Sequence, residues 1–464
     1  MLTGRTVSVL GGGVSGLSAA YYLHQLMPGI RINLLERSGR VGGRIATERV
    51  DGYLIESGPD GFVTHKPAAL DLAKALGLSS QVIHSAEHLG PAYVRRGSTL
   101  HRLPDGLSGL VPARLGPLLR SRVLSVPGRI RMAFEPWIPA QPSEDESLDQ
   151  FFGRRFGREA ARRLFEPLFG GIYGRTEALS AQTTVPQLLA LEREHGSVIR
   201  GLRVRSRGTA SPQKLASFAD GMSVLPERAK AVLESAGVCV DLEAGIRGLL
   251  VRDQKLWFVR DDGGNAAPAD AMVVAVPVQA AGDLLARVAP AASGMLSTIQ
   301  TGSSAVVVLG FPTRSVKRTL DASGYVVAGD HGRPVTACTW SSVKFAGRAP
   351  AGSSLFRVFF GADVYSAELP TDDGLVEMAM EELRETVGAR GSPDLIRVHR
   401  HHSATPRLVV GHADRVAALE TALYSISPPI EVAGNYLSGV GIADAVAAGR
   451  NAAQRIADRL RRRG

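Results

Sequence analysis

The first 35 residues carry a hydrophobic pattern that predicts a strand, a turn, a helix and a second strand. Residues 7–10 form a short apolar run of the kind that builds a buried strand. Three consecutive glycines interrupt this run, and residues 15–26 then place small and apolar side chains at helical spacing. Residues 31–35 predict the second strand. This order is typical of an α/β unit.

Later stretches alternate between strand and helix periods. Residues 50–56 predict one β-strand, and the alternating pattern of residues 238–263 predicts hairpins. Residues 269–285 begin with an apolar strand, and residues 430–460 predict a strand, a glycine turn and an alanine-rich helix. Residues 146–174 have a long helical period with arginines on the polar face.

The first glycine turn has the spacing G-x-G-x-x-G, at Gly11, Gly13 and Gly16. In this motif the first glycine makes the turn, the second lets the backbone approach a pyrophosphate, and the third lets the helix pack on the strand. Glu36 follows the second strand, 20 residues after Gly16. A carboxylate there can accept hydrogen bonds from a ribose and would repel a 2′-phosphate. The unit therefore predicts a dinucleotide site without a 2′-phosphate.

The next segment separates a flavin site from a nicotinamide site. "RVGGR" (40–44) and "ESGPD" (56–60) follow Glu36 closely, and together they resemble the flavoproteins of the amine oxidase superfamily. In that resemblance, Gly43 lets the backbone pass beside the diphosphate, and Arg44 offers it a planar donor set. The same resemblance implies that residues 58–60 form the turn beneath the flavin ring.

The resemblance implies FAD as the cofactor, in a site built from three chain segments. The helix that starts near residue 441 would aim its amide groups at the flavin ring and ribityl oxygens. The predicted cofactor contacts are Gly11, Gly13, Val14, Ser15, Gly16, Glu36, Arg37, Gly43, Arg44, Gly58, Pro59, Asp60, Ile246, Gly434, Gly441, Ile442 and Ala443.

The expected fold class is α/β, with a Rossmann-like FAD-binding domain, an α+β substrate domain and a helical insertion. The FAD-binding domain is assigned to residues 1–65, 215–275 and 405–464. The substrate domain is assigned to residues 66–86, 179–214 and 276–404, and the helical insertion to residues 87–178.

Several segments resemble the oxygen-dependent porphyrinogen oxidases of haem synthesis. They are residues 146–174, 179–202, 335–345, 402–412 and 434–446. "ACTW" and "GPDGF" are similar to the Gram-positive branch, whose members oxidise coproporphyrinogen III. This resemblance implies a six-electron oxidation to coproporphyrin III, with O2 as acceptor and H2O2 as by-product. Protoporphyrinogen IX remains an alternative substrate, as do another amine oxidase or desaturase activity and a non-catalytic binding role.

The net charge of +10 comes mostly from arginine. It is compatible with nucleic acid, anionic lipid or an acidic substrate, but no nucleic-acid-binding module is present, and nucleic acid is not expected as a partner. A porphyrinogen with four propionates would need a basic pocket. In the resemblance to the Gram-positive branch, Lys66 matches a lysine of that branch and is the first predicted propionate contact, and Arg95 and Arg96 are further candidates. A solvated loop lysine and a compositional arginine bias remain open explanations.

Residues 106–134 contain five arginines and no acidic residue. This stretch predicts either an amphipathic surface on anionic lipid or a solvated helical hairpin over the substrate cavity, and its three prolines favour the hairpin. The chain has no apolar run long enough to span a bilayer, no signal-peptide pattern and two cysteines far apart in sequence. We therefore expect a cytoplasmic protein, with peripheral membrane contact as an alternative and a ferrochelatase as a candidate transient partner.

No catalytic base is assigned from the sequence. Three histidines, His399, His401 and His402, lie close together. Their spacing is poor for a ligand set, and neighbouring arginines would repel a cation. No metal site is therefore expected.

Overall fold

The computed structural model describes residues 4–87, 89–104, 107–108, 111–112, 123–141, 144–173, 176–207, 215–261, 268–328, 335–361 and 369–462. The strands are β1 (Thr6–Leu10), β2 (Arg31–Leu35), β3 (Thr47–Val50), β4 (Tyr53–Glu56), β5 (Phe62–Val63), β6 (Val82–His84), β7 (Tyr93–Arg96), β8 (Thr99–Arg102), β9 (Leu107–Ser108), β10 (Val111–Pro112), β11 (Leu215–Phe218), β12 (Cys239–Asp241), β13 (Ile246–Arg252), β14 (Lys255–Arg260), β15 (Ala271–Val274), β16 (Thr301–Pro312), β17 (Gly324–Val327), β18 (Val335–Trp340), β19 (Ser353–Gly361), β20 (Leu395–Pro406) and β21 (Ile430–Val432).

The helices are α1 (Val14–Leu26), α2 (Ala68–Ala75), α3 (Val126–Ala133), α4 (Leu148–Phe156), α5 (Arg158–Ala160), α6 (Glu166–Tyr173), α7 (Ala181–Thr184), α8 (Pro186–His195), α9 (Val198–Arg207), α10 (Val224–Ser235), α11 (Val278–Leu285), α12 (Pro290–Ser297), α13 (Ser341–Lys344), α14 (Asp372–Thr386), α15 (His412–Tyr424) and α16 (Ile442–Arg461). A π-helical turn, Ala161–Phe165, joins α5 to α6.

A five-stranded parallel sheet in the order β12-β2-β1-β15-β21 forms the first layer of the molecule. Residues 7–10 of β1 and all of β15 are buried, and apart from Ser8 they are apolar, as in sheets that helices cover on both faces. Helix α1 packs closely along α16, because a side chain on Gly449 would lie 2.1 Å from the carbonyl oxygen of Ser15. The predicted strands β1 and β2, the helix between them and the carboxyl-terminal strand and helix are confirmed.

One strand prediction was wrong in this half of the molecule. Residues 50–56 were expected to form a single strand, but β3 and β4 form a hairpin. Asp51 and Gly52 turn the chain with φ values of 49° and 80°. An aspartate-glycine pair is a favoured two-residue hairpin turn because both residues tolerate positive φ.

A seven-stranded sheet in the order β20-β16-β19-β18-β17-β7-β8 forms the second layer. Helix α14 covers one face and buries Leu375, Ala379 and Leu383 against it. The hairpin β7–β8 joins this sheet through parallel pairing of β7 with β17. Residues 87–178, expected to be a helical insertion, therefore begin with two strands that extend the sheet.

The helices from α3 to α9 pack around a phenylalanine cluster. Phe152 stacks on Phe165 with ring centroids 3.9 Å apart. The long helix expected over residues 146–174 is interrupted at Gly157, which has a φ of 94°. Three of the five arginines noted in residues 106–134, namely Arg114, Arg120 and Arg122, lie outside the described residues.

Candidate functional site

The turn between β1 and α1 uses its three glycines in different ways. A Cβ on Gly11 would lie 2.6 Å from the carbonyl oxygen of Ala275, and a Cβ on Gly16 would lie 1.9 Å from that of Gly11. These two positions therefore have no room for a side chain. A Cβ on Gly13 would meet nothing within 4 Å, because Gly13 faces a cavity.

A second glycine loop lies against the first. The amide of Gly42 donates a hydrogen bond to the carbonyl oxygen of Gly12 at 2.8 Å. Gly42 and Gly43 have φ values of 104° and 57°, which favour glycine. A Cβ on Gly43 would lie 3.3 Å from the Cα of Gly13. The two loops thus form a backbone cradle without side chains at one end of the cavity.

Glu36 lies beside this cradle at the end of β2. One carboxylate oxygen accepts from the amide of Gly12 at 2.6 Å, and the other accepts from the amide and hydroxyl of Ser38 at 2.8 and 2.7 Å. These bonds fix the carboxylate at the cavity wall. An ionised carboxylate has about four acceptor positions, so Glu36 can still accept from ligand hydroxyls.

The cavity has a volume of about 1000 Å³, at the upper end of the range of about 300–1000 Å³ for small-molecule sites. Of the residues predicted to contact the cofactor, those that line it are Gly13, Val14, Ser15, Glu36, Gly43, Arg44, Gly58, Pro59, Asp60, Gly434, Gly441 and Ile442. The sequence from Ala275 to Pro277, after β15, also reaches the wall. The cavity therefore brings together segments that are more than 400 residues apart.

Five predicted cofactor contacts do not line the cavity. Gly11 and Gly16 contribute through the close packing of the turn. Arg37 is exposed and lies 3.6 Å from Asp261. Ile246 is half-buried at the start of β13, and Ala443 is buried in the packing of α16. The structure thus gives no cavity contact to Arg37, Ile246 or Ala443.

Arg44 lines the cavity from the end of the second glycine loop. Its guanidinium donates to the backbone carbonyl oxygens of Ala404 and Ser403 on β20. Burial lowers the pKa of this guanidinium, but an arginine stays protonated in proteins. The residue therefore places a fixed cation between the glycine loops and the seven-stranded sheet.

Asp60 ends the turn that follows β4. Both carboxylate oxygens accept from the ammonium of Lys344 at 2.8 Å, and Arg357 lies 3.3 Å away. Burial would raise the pKa of Asp60, but Lys344 and Arg357 lower it to about 2. A Cβ on Gly58 would lie 2.1 Å from the carbonyl oxygen of Arg44. The turn is therefore held rigidly against the second glycine loop.

These features fit FAD. The open side of Gly13 leaves room for a diphosphate beside backbone amide groups, and Glu36 can accept from ribose hydroxyls. At the opposite wall, α16 begins at Ile442, so the amino-terminal end of a 20-residue helix faces the cavity. Such an end favours electron-rich ligand groups.

The seven-stranded sheet and α6 supply an apolar wall that the sequence analysis did not identify. Val306, Val335, Phe359 and Phe360 line the cavity from the sheet, and Tyr173 lines it from α6. Burial raises the pKa of Tyr173 to about 12, and the nearby Asp444 adds to this shift. The strands carry long apolar runs, but the pattern alone does not show which face is covered by α14 and which faces a ligand.

The predicted substrate cations lie outside the cavity wall. Lys66 binds both carboxylate oxygens of Asp444 at 2.8 and 2.9 Å. Arg95 is 1% exposed, and its guanidinium pairs with Glu382 and Glu385 of α14. The structure corrects the assignment of Arg95, because the buried carboxylate of Glu382 and the more exposed one of Glu385 neutralise its guanidinium. Arg96 is half-buried on the same strand and also does not line the cavity.

The charge of the wall also differs from the basic pocket that was expected. Among the described residues, Arg44 and Arg407 are the arginines of the wall, and Glu36, Asp60 and Glu166 are its carboxylates. Lys66, Arg95 and Arg96 therefore do not create a strongly cationic wall, and most of the wall is apolar or backbone.

Comparisons with known proteins place the chain in a flavoprotein family. The family model described as flavin containing amine oxidoreductase matches residues 14–457. The coproporphyrinogen III oxidase of Bacillus subtilis (strain 168) is 33% identical over 461 residues, which cover 97% of each chain. That of Propionibacterium freudenreichii subsp. freudenreichii is 34% identical over 485 residues, covering 97% of this chain and 90% of the relative. The structure also superposes on a crystal structure from Exiguobacterium sp. 255-15 that is described provisionally as a protoporphyrinogen oxidase. The TM-score is 0.85 at 27% identity, and the match covers 98% of this chain and 99% of the Exiguobacterium chain.

Proposed function

Since the chain belongs to the family of flavin-containing amine oxidoreductases, we propose that it oxidises coproporphyrinogen III to coproporphyrin III in haem synthesis. FAD is its cofactor, and the protein is an oxidoreductase. Near-full-length similarity to two bacterial coproporphyrinogen III oxidases supports this substrate. The observation that carries the proposal is the single cavity wall that combines a dinucleotide cradle with a broad apolar surface.

The residues of the cradle would hold FAD through backbone and charge. The amide groups around Gly13 and the guanidinium of Arg44 would bind the diphosphate, Glu36 would bind the ribose, and the start of α16 would face the flavin ring. Bound FAD supplies the chemistry of hydride acceptance, which amino-acid side chains lack.

The apolar wall would hold the substrate macrocycle and exclude water from it. Val306 and Phe359 pair in register and offer apolar side chains on the sheet face opposite to α14. The propionates, being charged, would point away from this surface and toward cations at its edges. Arg407 lines the wall, and Lys66 lies beside the start of α16, where Asp444 occupies two of its three ammonium donors. We propose these two residues as propionate contacts.

In each of three rounds the substrate gives up a hydride and a proton, and O2 takes up the electrons as H2O2. The complete reaction consumes three O2 and releases three H2O2. Protoporphyrinogen IX has two propionates instead of four and is the alternative substrate, which the name of the Exiguobacterium structure also suggests.

The test is a side-by-side assay of the purified protein with both porphyrinogens. We expect the absorbance spectrum of bound FAD, porphyrin fluorescence that rises faster with coproporphyrinogen III, and three O2 consumed per porphyrin. A protein that stays colourless when FAD is supplied, or that produces no porphyrin from either substrate, would contradict the proposal. A faster reaction with protoporphyrinogen IX would favour the alternative.

We also propose that the protein contacts an anionic membrane surface from the cytoplasmic side. Within the described residues, no helix is long and apolar enough to cross a bilayer. However, four apolar side chains in this region are between 49% and 68% exposed: Val126, Ile130, Phe134 and Trp137. We call these four side chains the apolar patch. They follow a helical repeat along α3 and the turn after it, which suits shallow insertion between lipid headgroups. A ferrochelatase that receives the product at such a surface is a further proposed partner.

A further inference from the structure

His401 lies on the cavity side of β20. It pairs in register with Ser304 of β16, which also lines the cavity. The preceding residue, Arg400, points to the opposite face of the sheet and binds Asp372 of α14. This alternation is that of a regular strand, and it directs the imidazole of His401 to the wall of the site.

One hydrogen bond fixes the tautomer of this imidazole. Nε2 of His401 lies 2.8 Å from the carbonyl oxygen of Ser57. A carbonyl oxygen can only accept, so Nε2 carries the hydrogen. In the neutral ring Nδ1 is then an unprotonated acceptor, and among the described residues it has no hydrogen-bond partner.

The surroundings keep this ring neutral. Burial lowers the pKa of His401, and the charges of Arg44, Arg357 and the neighbouring His402 lower it further, against the opposing effect of the bond to Ser57. The imidazole is therefore neutral at neutral pH, and the lone pair of its Nδ1 is available to accept a proton.

We propose that Nδ1 of His401 accepts the proton that a pyrrole N–H of the substrate loses during each oxidation. In each round the substrate loses a hydride from a bridging methylene carbon, which bound FAD would accept, and the N–H electron pair remains in the macrocycle as part of a new double bond. The proton moves to Nδ1 and is released to solvent before the next round. After three rounds one methylene bridge is left, and the shift of one of its protons to a pyrrole nitrogen gives the porphyrin with four methine bridges and two N–H groups. This inference rests on the proposed function and names a residue that would act in it.

Other titratable groups on the wall are less suited to this task. Asp60 is held ionised by Lys344 and Arg357, with its pKa lowered to about 2, so it is a weak base. Glu36 is engaged with the amide groups beside the dinucleotide cradle. Tyr173 is protonated at neutral pH, as tyrosine ordinarily is, and burial raises its pKa further. Glu166 remains as the rival acceptor, and the experiment includes it.

The experiment compares His401→Gln with His399→Gln and His402→Gln. Glutamine can still donate to the carbonyl oxygen of Ser57, but its amide oxygen is a far weaker base than imidazole. His399 lies two positions earlier on the same strand face, and His402 is the exposed neighbour; neither lines the cavity. For each holoenzyme we would measure the FAD spectrum, the binding of coproporphyrin III, and the anaerobic rate of a single turnover with coproporphyrinogen III.

We expect His401→Gln to slow the single turnover about 100-fold or more, within the range for loss of a general base, with FAD content and product affinity unchanged. The wild-type rate should fall at acid pH as His401 becomes protonated, and this dependence should disappear in His401→Gln. The two control variants should stay within about 2-fold of the wild type. Added imidazole should partly restore the rate of His401→Ala and should leave that of His399→Ala unchanged.

Several results would overturn the inference. A wild-type rate in His401→Gln would do so, as would the absence of imidazole rescue in a His401→Ala protein that binds FAD normally. Loss of the acid pH dependence in Glu166→Gln instead would assign the proton to Glu166. An inactive wild-type holoenzyme would refute the proposed function itself, which separates the two failures.

Discussion

At the scale of single residues, the site depends on two kinds of position. The first are glycines, where a side chain is absent, and the second are buried charged side chains that are paired with opposite charges. Gly13 is the sharpest case of the first kind. Its Cα faces open cavity, whereas Gly11 and Gly16 face packed backbone. A side chain on Gly13 should therefore block the ligand without disturbing the fold, while a side chain on either neighbour in the motif should disturb both.

Gly13→Val should accordingly yield a folded protein without FAD. The valine methyl groups would occupy the place of the diphosphate, so we expect the bound-flavin absorbance to disappear and FAD affinity to fall at least 100-fold. Thermal unfolding followed by circular dichroism should match that of the wild-type apoprotein. Gly294→Val is the matched control, because a Cβ there also meets nothing within 4 Å but lies on the exposed side of α12. A flavin-replete Gly13→Val protein would show that the diphosphate lies elsewhere.

Asp60 represents the second kind, a buried carboxylate paired with Lys344 and Arg357. Asp60→Asn leaves both cations without this partner and should lower the free energy of unfolding by about 3–5 kcal/mol at pH 7. The pKa of Asp60 is lowered from its ordinary 3.8 to about 2. Its stabilisation is therefore present above pH 4 and is lost as the pH falls toward 2.

The check is urea unfolding of apoprotein at pH 7, 5, 4 and 3.5, where the difference between wild type and Asp60→Asn should shrink at the lowest values. Asp220→Asn is the control, since Asp220 pairs with Arg49 at the surface and its side chain is 68% exposed. Its effect should stay below about 1 kcal/mol. A difference for Asp60→Asn that does not change with pH would contradict the role of its ionisation.

At the scale of elements, two helix amino termini meet the same cavity, and their helices are locked together. Gly449 of α16 allows this contact with α1, where a Cβ would lie 2.1 Å from the carbonyl oxygen of Ser15 and 2.9 Å from the amide nitrogen of Ala19. Neither atom can move without moving α1. The packing of the two helices thus sets the spacing between the diphosphate cradle and the flavin end of the site.

Gly449→Ala should therefore reduce FAD affinity from a distance. We expect a loss of about 1–3 kcal/mol in the free energy of unfolding from overpacking, together with a rise of 10-fold or more in the Kd for FAD. Urea unfolding and fluorescence titration with FAD would measure the two effects. Gly294→Ala provides an alanine substitution at an exposed helix position. It should leave the Kd for FAD unchanged and raise the free energy of unfolding by about 0.5–1 kcal/mol, because alanine is the better helix former. Tight FAD binding in Gly449→Ala would show that the helix spacing does not control the cradle.

Elements built from local sequence were predictable, and those built from distant contacts were not. The strand, turn and helix around Gly13 follow from hydrophobic period and glycine spacing within about 25 residues, and the structure has them at nearly the expected bounds. Arg95 shows the opposite case. Its position in a basic stretch suggested a substrate contact, but its partners Glu382 and Glu385 are nearly 290 residues away. No local pattern indicates that α14 would bring these carboxylates to it.

The same distinction applies to the cavity wall. Glu36 and Arg44 belong to a motif, so their places could be predicted from spacing. Val306, Phe359 and His401 come from three strands whose order in the sheet depends on tertiary pairing. Their sequences indicate strands, but only the sheet order shows that they share one face with the dinucleotide cradle.

At the scale of the whole molecule, the group of helices from α3 to α9 contributes to the cavity and also carries the apolar patch. Helix α6 lines the site through Tyr173, and α3 with its following turn exposes Phe134 and Trp137 on the surface. The patch has an ordered ring contact, with the two aromatic centroids 5.5 Å apart. Helix α9 packs near this turn and exposes Arg203 and Arg205. Apolar side chains with adjacent arginines are suited to an anionic bilayer surface.

The holoenzyme should therefore bind vesicles of phosphatidylcholine with phosphatidylglycerol more tightly than vesicles of phosphatidylcholine alone, and high salt should weaken the binding because it screens the arginines. Trp137 should shift its fluorescence to shorter wavelength as it leaves water.

Replacing both aromatic residues of the apolar patch, Phe134→Ser with Trp137→Ser, removes two apolar side chains that each gain about 1.5–3 kcal/mol when fully buried. Insertion at an interface is partial, so we expect the vesicle affinity measured by co-sedimentation to fall about 10-fold or more. Tyr424→Ser, at an aromatic side chain that is 59% exposed on α15, should leave vesicle affinity unchanged. Equal binding to both vesicle types, or wild-type binding by the double variant, would assign the apolar patch to a protein partner instead.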